Sequence, residues 1–141
     1  MSSYTTPAHV ARATLEANAF MTRAVAESMK LDSGVDLPQM KVDGGMTNGD
    51  MVMEILADLA GCEIVRPEMR ESTALGSAIL AGSAVGLFGW DIARPETLHE
   101  VNTAGSTVFK PKTTKEYRDK KWAGWQRAVE RCRGWASSDD E

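Results

Sequence analysis

An acid and two glycines, Asp43-Gly44-Gly45, followed by Asn48, Gly49 and Asp50, make up the stretch of this sequence whose residue types could do chemistry. The chemistry is binding. Glycine takes φ > 0 freely, and with no side chain it lets another molecule come close to the main chain. Just beyond, Val52, Ile55, Leu56 and Leu59 recur at helical spacing. The first turn of a helix offers unpaired N–H donors and a partial positive charge. A bare turn leading into a helix end is a plausible nucleotide site in an open α/β sheet. The plainer alternative is a tight strand-to-helix connection and nothing more. Neither G-x-G-x-x-G nor the Walker loop is present. Asp50, in the first helical turn, would answer the helix dipole itself. That disfavours a dianionic phosphate at this end and fits a loop that meets base and ribose.

The elements that must position this turn follow from the flanking pattern. Met40 to Val42 is a short apolar run, read as a strand, and the helix after the turn is expected from about Asn48 to Ala60, with Gly61 closing it. Cys62 to Val65 is a second strand, ended by Arg66-Pro67, which makes a parallel crossover. Before the turn, Thr6 caps and Pro7 opens a long helix. Its expected buried stripe is Val10, Ala13, Ala17, Phe20 and Ala24, continuing to about Met29. Arg12 and Glu16, four apart, can pair on its surface.

Ser72 or Thr73 is expected to cap a third helix, Ala74 to about Val85. It is crowded with small residues, Gly76, Ser77, Ala78, Ala81, Gly82 and Ser83. Interior glycines cost about 1 kcal/mol each relative to alanine, so close approach of a backbone, a ligand or another helix is expected in compensation. Leu87 to Pro111 carries turn residues and reads as irregular, with a short turn near Pro95 to Leu98. Thr113-Thr114-Lys115-Glu116 is a capping box for a last helix. Trp122, Trp125, Val129 and Cys132 form its inner face, with Trp135 beyond and Gly134 closing it. The tail, 136–141, is acidic and expected to be disordered.

The 141 residues suit one ordinary domain, and a 43% hydrophobic fraction is enough for a core. A net charge of −4 without a basic block lacks the nucleic-acid footprint. No apolar run reaches membrane-spanning length, and the polar start, Met1 to Thr6, is unlike a signal peptide. Cys62 and Cys132 show neither metal-ligand nor disulfide-framework spacing, so reduced thiols and a cytoplasmic location are expected. His9 and His99 stand apart, and each reads as structural or solvent-facing. No general base sits beside a nucleophile or metal partner. Four expected helices share two expected strands, too little sheet to cover them. The chain therefore reads as part of a larger domain.

Val42-Asp43-Gly44-Gly45-Met46-Thr47 resembles the adenosine motif of the FGGY carbohydrate kinases, within the actin/Hsp70/hexokinase ATPase superfamily. Three further stretches fall in that family's order. His9 to Glu16 with Ala19-Phe20 and Thr22-Arg23 resembles the helix before the motif. Glu71 to Ala78 resembles the small-residue helix after it. Trp125, Ala128-Val129, Arg131 and Gly134-Trp135 resemble the end of the glycerol kinases within that family.

This resemblance, covering about Thr6 to Trp135, implies an α/β fold. It would be the C-terminal portion of an RNase H-like, actin-type ATPase domain, helix-rich with a short parallel strand pair. Residues 1–135 would be an incomplete second domain. The whole enzyme would move the γ-phosphoryl of MgATP to glycerol, with ATP or ADP and Mg2+ as cofactors, and would be a cytoplasmic homo-oligomer. This chain would supply the adenosine-side wall through Gly44, Gly45, Asn48 and Gly49. Glycerol, the catalytic base and most Mg2+ contacts would belong to the part it lacks. Gly45 would approach the α-phosphate or ribose. Where the family commonly has Asn near adenine this chain has Gly49, so Asn48 either takes that role or is the helix cap. Gly76 and its neighbours would pack beneath the turn. The alternatives are a non-catalytic interaction module, the same portion of another FGGY sugar kinase, or a small Rossmann-like binder.

Overall fold

A computed structural model describes residues 2–134; Trp135 and the acidic tail lie outside the described residues. The first helix, α1, runs Pro7–Ser33. Thr6 precedes it in an extended conformation. His9 completes its cap: the Thr6 N–H donates to His9 Nδ1 at 3.1 Å, and Thr6 Oγ1 lies 2.8 Å from the same nitrogen. His9 is thus structural.

Only the middle of α1 is buried, at Ala19 and Phe20. Val10, Ala13 and Met29, expected in the buried stripe, are exposed. The reason is length. A helix of 27 residues is about 40 Å long, whereas its main neighbour α2, Asp50–Ala60, has 11 residues and spans about 16 Å.

Strand β1, Gln39–Lys41, pairs in parallel with β2, Glu63–Arg66, placing Met40 opposite Ile64. Beyond its last residue, the Val42 N–H still donates to Val65 O at 3.0 Å. A third strand, β3, Thr107–Phe109, pairs antiparallel with β2, with Val65 opposite Val108. The strand pair expected from sequence is therefore a mixed three-stranded sheet, ordered β1-β2-β3. β3 lies inside the stretch read as irregular. Three residues long and mostly exposed, it has no alternation of its own and owes its conformation to pairing with β2.

The remaining helices are α3 (Ser72–Ala84), the short α4 (His99–Thr103) and α5 (Lys115–Cys132). Glu71, not Ser72 or Thr73, precedes α3 at the cap position and makes no side-chain cap bond. For α5 the cap is Thr114, whose Oγ1 accepts from the Tyr117 N–H at 3.3 Å. Thr113 is diverted to α2, donating to Asp58 O at 2.8 Å, so the cap falls one residue later than expected and is a single bond, not a capping box.

The core lies between α1, α2, α5 and the sheet. Phe20, Met53, Leu56, Leu59 and Ile64 are buried there, with Trp122 and Trp125 packed against them. Phe20 sits 6.1 Å from the Trp122 ring and 5.8 Å from that of Trp125, and the two indoles stack at 4.9 Å. These two tryptophans do line the inner face of α5, but Cys132 is exposed, because the helix has passed its partners by then. Both cysteines are free thiols.

Candidate functional site

β1 delivers the chain into Asp43 and the glycine turn. Gly44 adopts φ 92°, ψ 172°, a region essentially closed to residues with a Cβ. Gly45–Asn48 then form a single 3-10 turn, and α2 starts at Asp50, two residues later than expected. Asn48 is not the cap of α2; Gly49 holds that position. The turn is internally bonded. Gly44 O accepts from the Thr47 N–H at 3.0 Å and from Thr47 Oγ1 at 2.7 Å.

Gly44, Gly45, Asn48 and Gly49 are brought together on this one turn. Gly44, Gly45 and Asn48 are exposed and Gly49 is half-buried. A Cβ placed on Gly44 or Gly45 would meet nothing within 4 Å, whereas one on Gly49 would press Val52 Cγ2 at 3.2 Å. The Asn48 amide is occupied: its Oδ1 accepts from Arg70 Nη1.

Two cavities flank the turn without including those four residues, and Asp43 lines both. One, about 680 Å³, is bounded by the end of β1, the β2–α3 link and the α3 face of Leu75, Gly76 and Ile79. The other, about 430 Å³, lies between α1 and the start of α2, under Met46 and Thr47. The small residues of α3 thus serve two purposes. Gly76 opens on the larger cavity, with nothing within 4 Å of a built Cβ, so it does not pack beneath the turn as expected. Gly82 admits the Trp90 ring, whose Cε3 would lie 2.6 Å from such a Cβ.

Sequence reasoning missed what holds the turn from below. Arg66, at the end of β2, reaches under it. Its Nη1 donates to Thr47 O and to Asp50 Oδ1, both at 2.8 Å. Its guanidinium lies 4.9 Å from the Phe109 ring centroid on β3. Arg66 is 8% exposed and Thr47 3%. Asp50, expected to answer only the helix dipole, is paired with this arginine. Arg70 adds a second tie, its O accepting from the Gly44 N–H at 3.3 Å. The signal was present in the period-2 rule. Ile64 and Arg66 alternate onto the same buried face of β2, and an arginine at an inward strand position needs a partner nearby.

Burial pushes the Cys62 thiol above its ordinary value, with a backbone hydrogen bond opposing only in part, so it is a poor nucleophile. Among the described residues no cluster of three or more His, Cys, Asp or Glu side chains is placed to hold a metal ion. No described helix is long and apolar enough to cross a membrane.

The site is thus a bare glycine turn between a parallel strand and a helix, braced from beneath by Arg66 and open above Gly44 and Gly45. A family model for the C-terminal domain of the FGGY carbohydrate kinases matches residues 1–85, and the chain belongs to this family. It is 41% identical over 140 residues to glycerol kinase 2 of Streptomyces coelicolor, covering 99% of this chain and 26% of that protein. It is 44% identical over 139 residues to glycerol kinase of Mycolicibacterium vanbaalenii, again covering 99% and 26%. The chain therefore spans about a quarter of the length of these curated relatives.

A crystal structure of Plasmodium falciparum glycerol kinase with ADP matches with a TM-score of 0.82 and 31% identity, covering 96% of this chain and 26% of that one. Gluconate kinase from Lactobacillus acidophilus, at 20% identity and a TM-score of 0.61, shares the fold over 90% of this chain and 23% of its own. The fold is that of the actin-like ATPases, here represented by a helix-rich piece with a small mixed sheet.

Proposed function

We propose that this chain is the nucleotide-facing quarter of a glycerol kinase, an enzyme that transfers the γ-phosphoryl of MgATP to glycerol. The observation that carries this reading is the open turn at Gly44-Gly45, in a chain whose relatives over 99% of its length are glycerol kinases. Gly45 approaches the ribose or α-phosphate of ATP or ADP, and Gly44 supplies the backbone bend that makes the approach possible. Asn48 is the side chain nearest to an adenine role, and its amide oxygen is already committed to Arg70. Gly49 beside it packs close to Val52. Mg2+, glycerol and the base that accepts the hydroxyl proton are held by parts of the enzyme outside this chain. The same reading makes the complete enzyme a cytoplasmic homo-oligomer.

Phosphoryl transfer is mostly positioning plus electrostatic stabilisation around the γ-phosphate, and this chain contributes to positioning. The test is ATP and glycerol kinetics in a complete kinase containing this chain. Replacing Gly45 by Val should raise the KM for ATP and leave that for glycerol unchanged. Equal loss for both substrates would make the turn a structural connection only.

A second reading, a non-catalytic interaction module, is favoured by the apolar side chains α1 leaves exposed, among them Met21, Val25 and Leu31. Tryptophan fluorescence of the chain during an ADP titration separates the two. A saturable change supports the kinase reading; self-association with no nucleotide response supports the module.

A further inference from the structure

The geometry points to Arg66, with its partner Asp50, as a positioning residue for the nucleotide-facing turn, an inference that rests on the kinase reading above. Among the described residues, Arg66 and Thr47 are the buried polar residues, and the Arg66 guanidinium donates to the Thr47 main-chain carbonyl. A buried charge persists only where it is paired and hydrogen-bonded. Here both hydrogen bonds of the guanidinium go to the turn and to the helix that follows it. One nitrogen binds the Thr47 carbonyl, which is the far end of the 3-10 turn. The same nitrogen binds Asp50, the first residue of α2. The guanidinium also lies against Phe109 of β3. Thr47 in turn fixes Gly44 O through its N–H and its hydroxyl.

A chain of contacts thus runs from the sheet through Arg66 and Thr47 to Gly44 at its positive φ. It sets which way the bare face of Gly45 points. Arg66 reaches the turn from its buried side, whereas Gly45 is exposed, so the arginine acts on the nucleotide through the backbone and not by contact. Loss of this brace would let the turn relax toward ordinary φ values and swing the Gly45 backbone away from its ligand.

The test compares Arg66→Met, Arg66→Lys, Asp50→Asn and the pair Arg66→Met/Asp50→Asn in a complete kinase containing this chain, beside Gly45→Val. Arg66→Met should raise the KM for ATP about tenfold, keep the KM for glycerol within about twofold, and lower kcat at saturating ATP much less. Arg66→Lys should raise the ATP KM less, since it keeps the charge and loses the planar group. The double variant should be no worse than Arg66→Met alone, because the two act as one unit.

In the 141-residue chain, hydrogen exchange at the Gly44 and Thr47 amides should quicken in Arg66→Met, while the Leu56 and Leu59 amides keep their protection. An unchanged ATP KM, or equal rises for both substrates, with Gly45→Val still selective for ATP, would overturn this inference and leave the kinase reading standing. A Gly45→Val variant without selectivity would remove the kinase reading and this inference with it. If Arg66→Met does not accumulate as folded protein, Arg66→Lys and Asp50→Asn decide by the same criteria.

Discussion

At the scale of the residue, Gly44 and Gly45 are neighbours with opposite requirements. Gly44 sits at φ 92°, ψ 172°, where a residue with a Cβ is held at a cost of about 1–3 kcal/mol. Gly44→Ala is therefore predicted to lower stability by that amount, read as a shift in the denaturant midpoint. Gly45 has an ordinary backbone conformation and open space around it. Gly45→Val should change stability by no more than about 0.5 kcal/mol. If a nucleotide lies against it, the same variant should weaken ATP by about 1–3 kcal/mol, the usual cost of overpacking. Stability measured by denaturant and ATP affinity measured by kinetics should thus separate the two glycines. A Gly45→Val variant as unstable as Gly44→Ala would mean that the open space above Gly45 closes in solution.

At the scale of the element, α1 and α5 are joined by side chains that the sequence showed only in part. Arg12 and Glu16 pair at 2.9 Å as their spacing predicts, but Glu16 also binds Lys121 of α5 at 3.0 Å. Partial burial would raise the Glu16 carboxyl, yet hydrogen bonds from Arg12 and Lys121 outweigh it and hold the group below its ordinary value. A carboxyl depressed on folding contributes stability that is complete above the ordinary carboxylate range. That contribution is lost as pH falls through the range to the lower folded value. Glu16→Gln should therefore lower Tm at about pH 7 and lower it little at about pH 3. A difference independent of pH would show that Glu16 acts by packing.

Arg23 makes a parallel link, bonded to Glu27 at 2.9 Å and to Asp119 of α5 at 3.1 Å, with Trp122 beneath its guanidinium. What was legible in the sequence was local: helix periodicity, the Gly61 stop, the strand entering the glycines. Contacts made across long separations were not legible. β3, the Thr113 bond to Asp58 and the Arg66 brace each depend on a partner dozens of residues away in sequence or on another strand. Neither β3 nor the Thr113 bond leaves a periodic trace in its own segment, and the period of β2 turns Arg66 inward without naming its partner. The candidate site divides the same way. Its glycines announced themselves by type and spacing, and the arginine that orients them did not.

At the scale of the whole molecule, the chain spans about a quarter of the length of its curated relatives, and its surface matches that share. Met21 is 62%, Val25 60% and Leu31 85% exposed on α1, and among the described residues β1 is an edge strand of the sheet. Exposed apolar side chains beside an open strand edge promote association. In the proposed reading the glycine turn is a single wall, whereas a tight small-molecule site buries most of its ligand. The chain by itself is accordingly predicted to bind adenosine nucleotides weakly and not to phosphorylate glycerol. The transfer needs a metal site, loops cradling the γ-phosphate and a group that accepts the hydroxyl proton. Asp43 ends beside the glycines and Asp50 is spent on Arg66, so neither is placed as that group. A coupled ADP-release assay on the rigorously purified chain, with and without glycerol, tests this directly. Glycerol-dependent ADP formation that disappears in Gly45→Val, made in the same chain, would show that one wall is catalytically sufficient and that the reading of this chain as a partial enzyme is wrong.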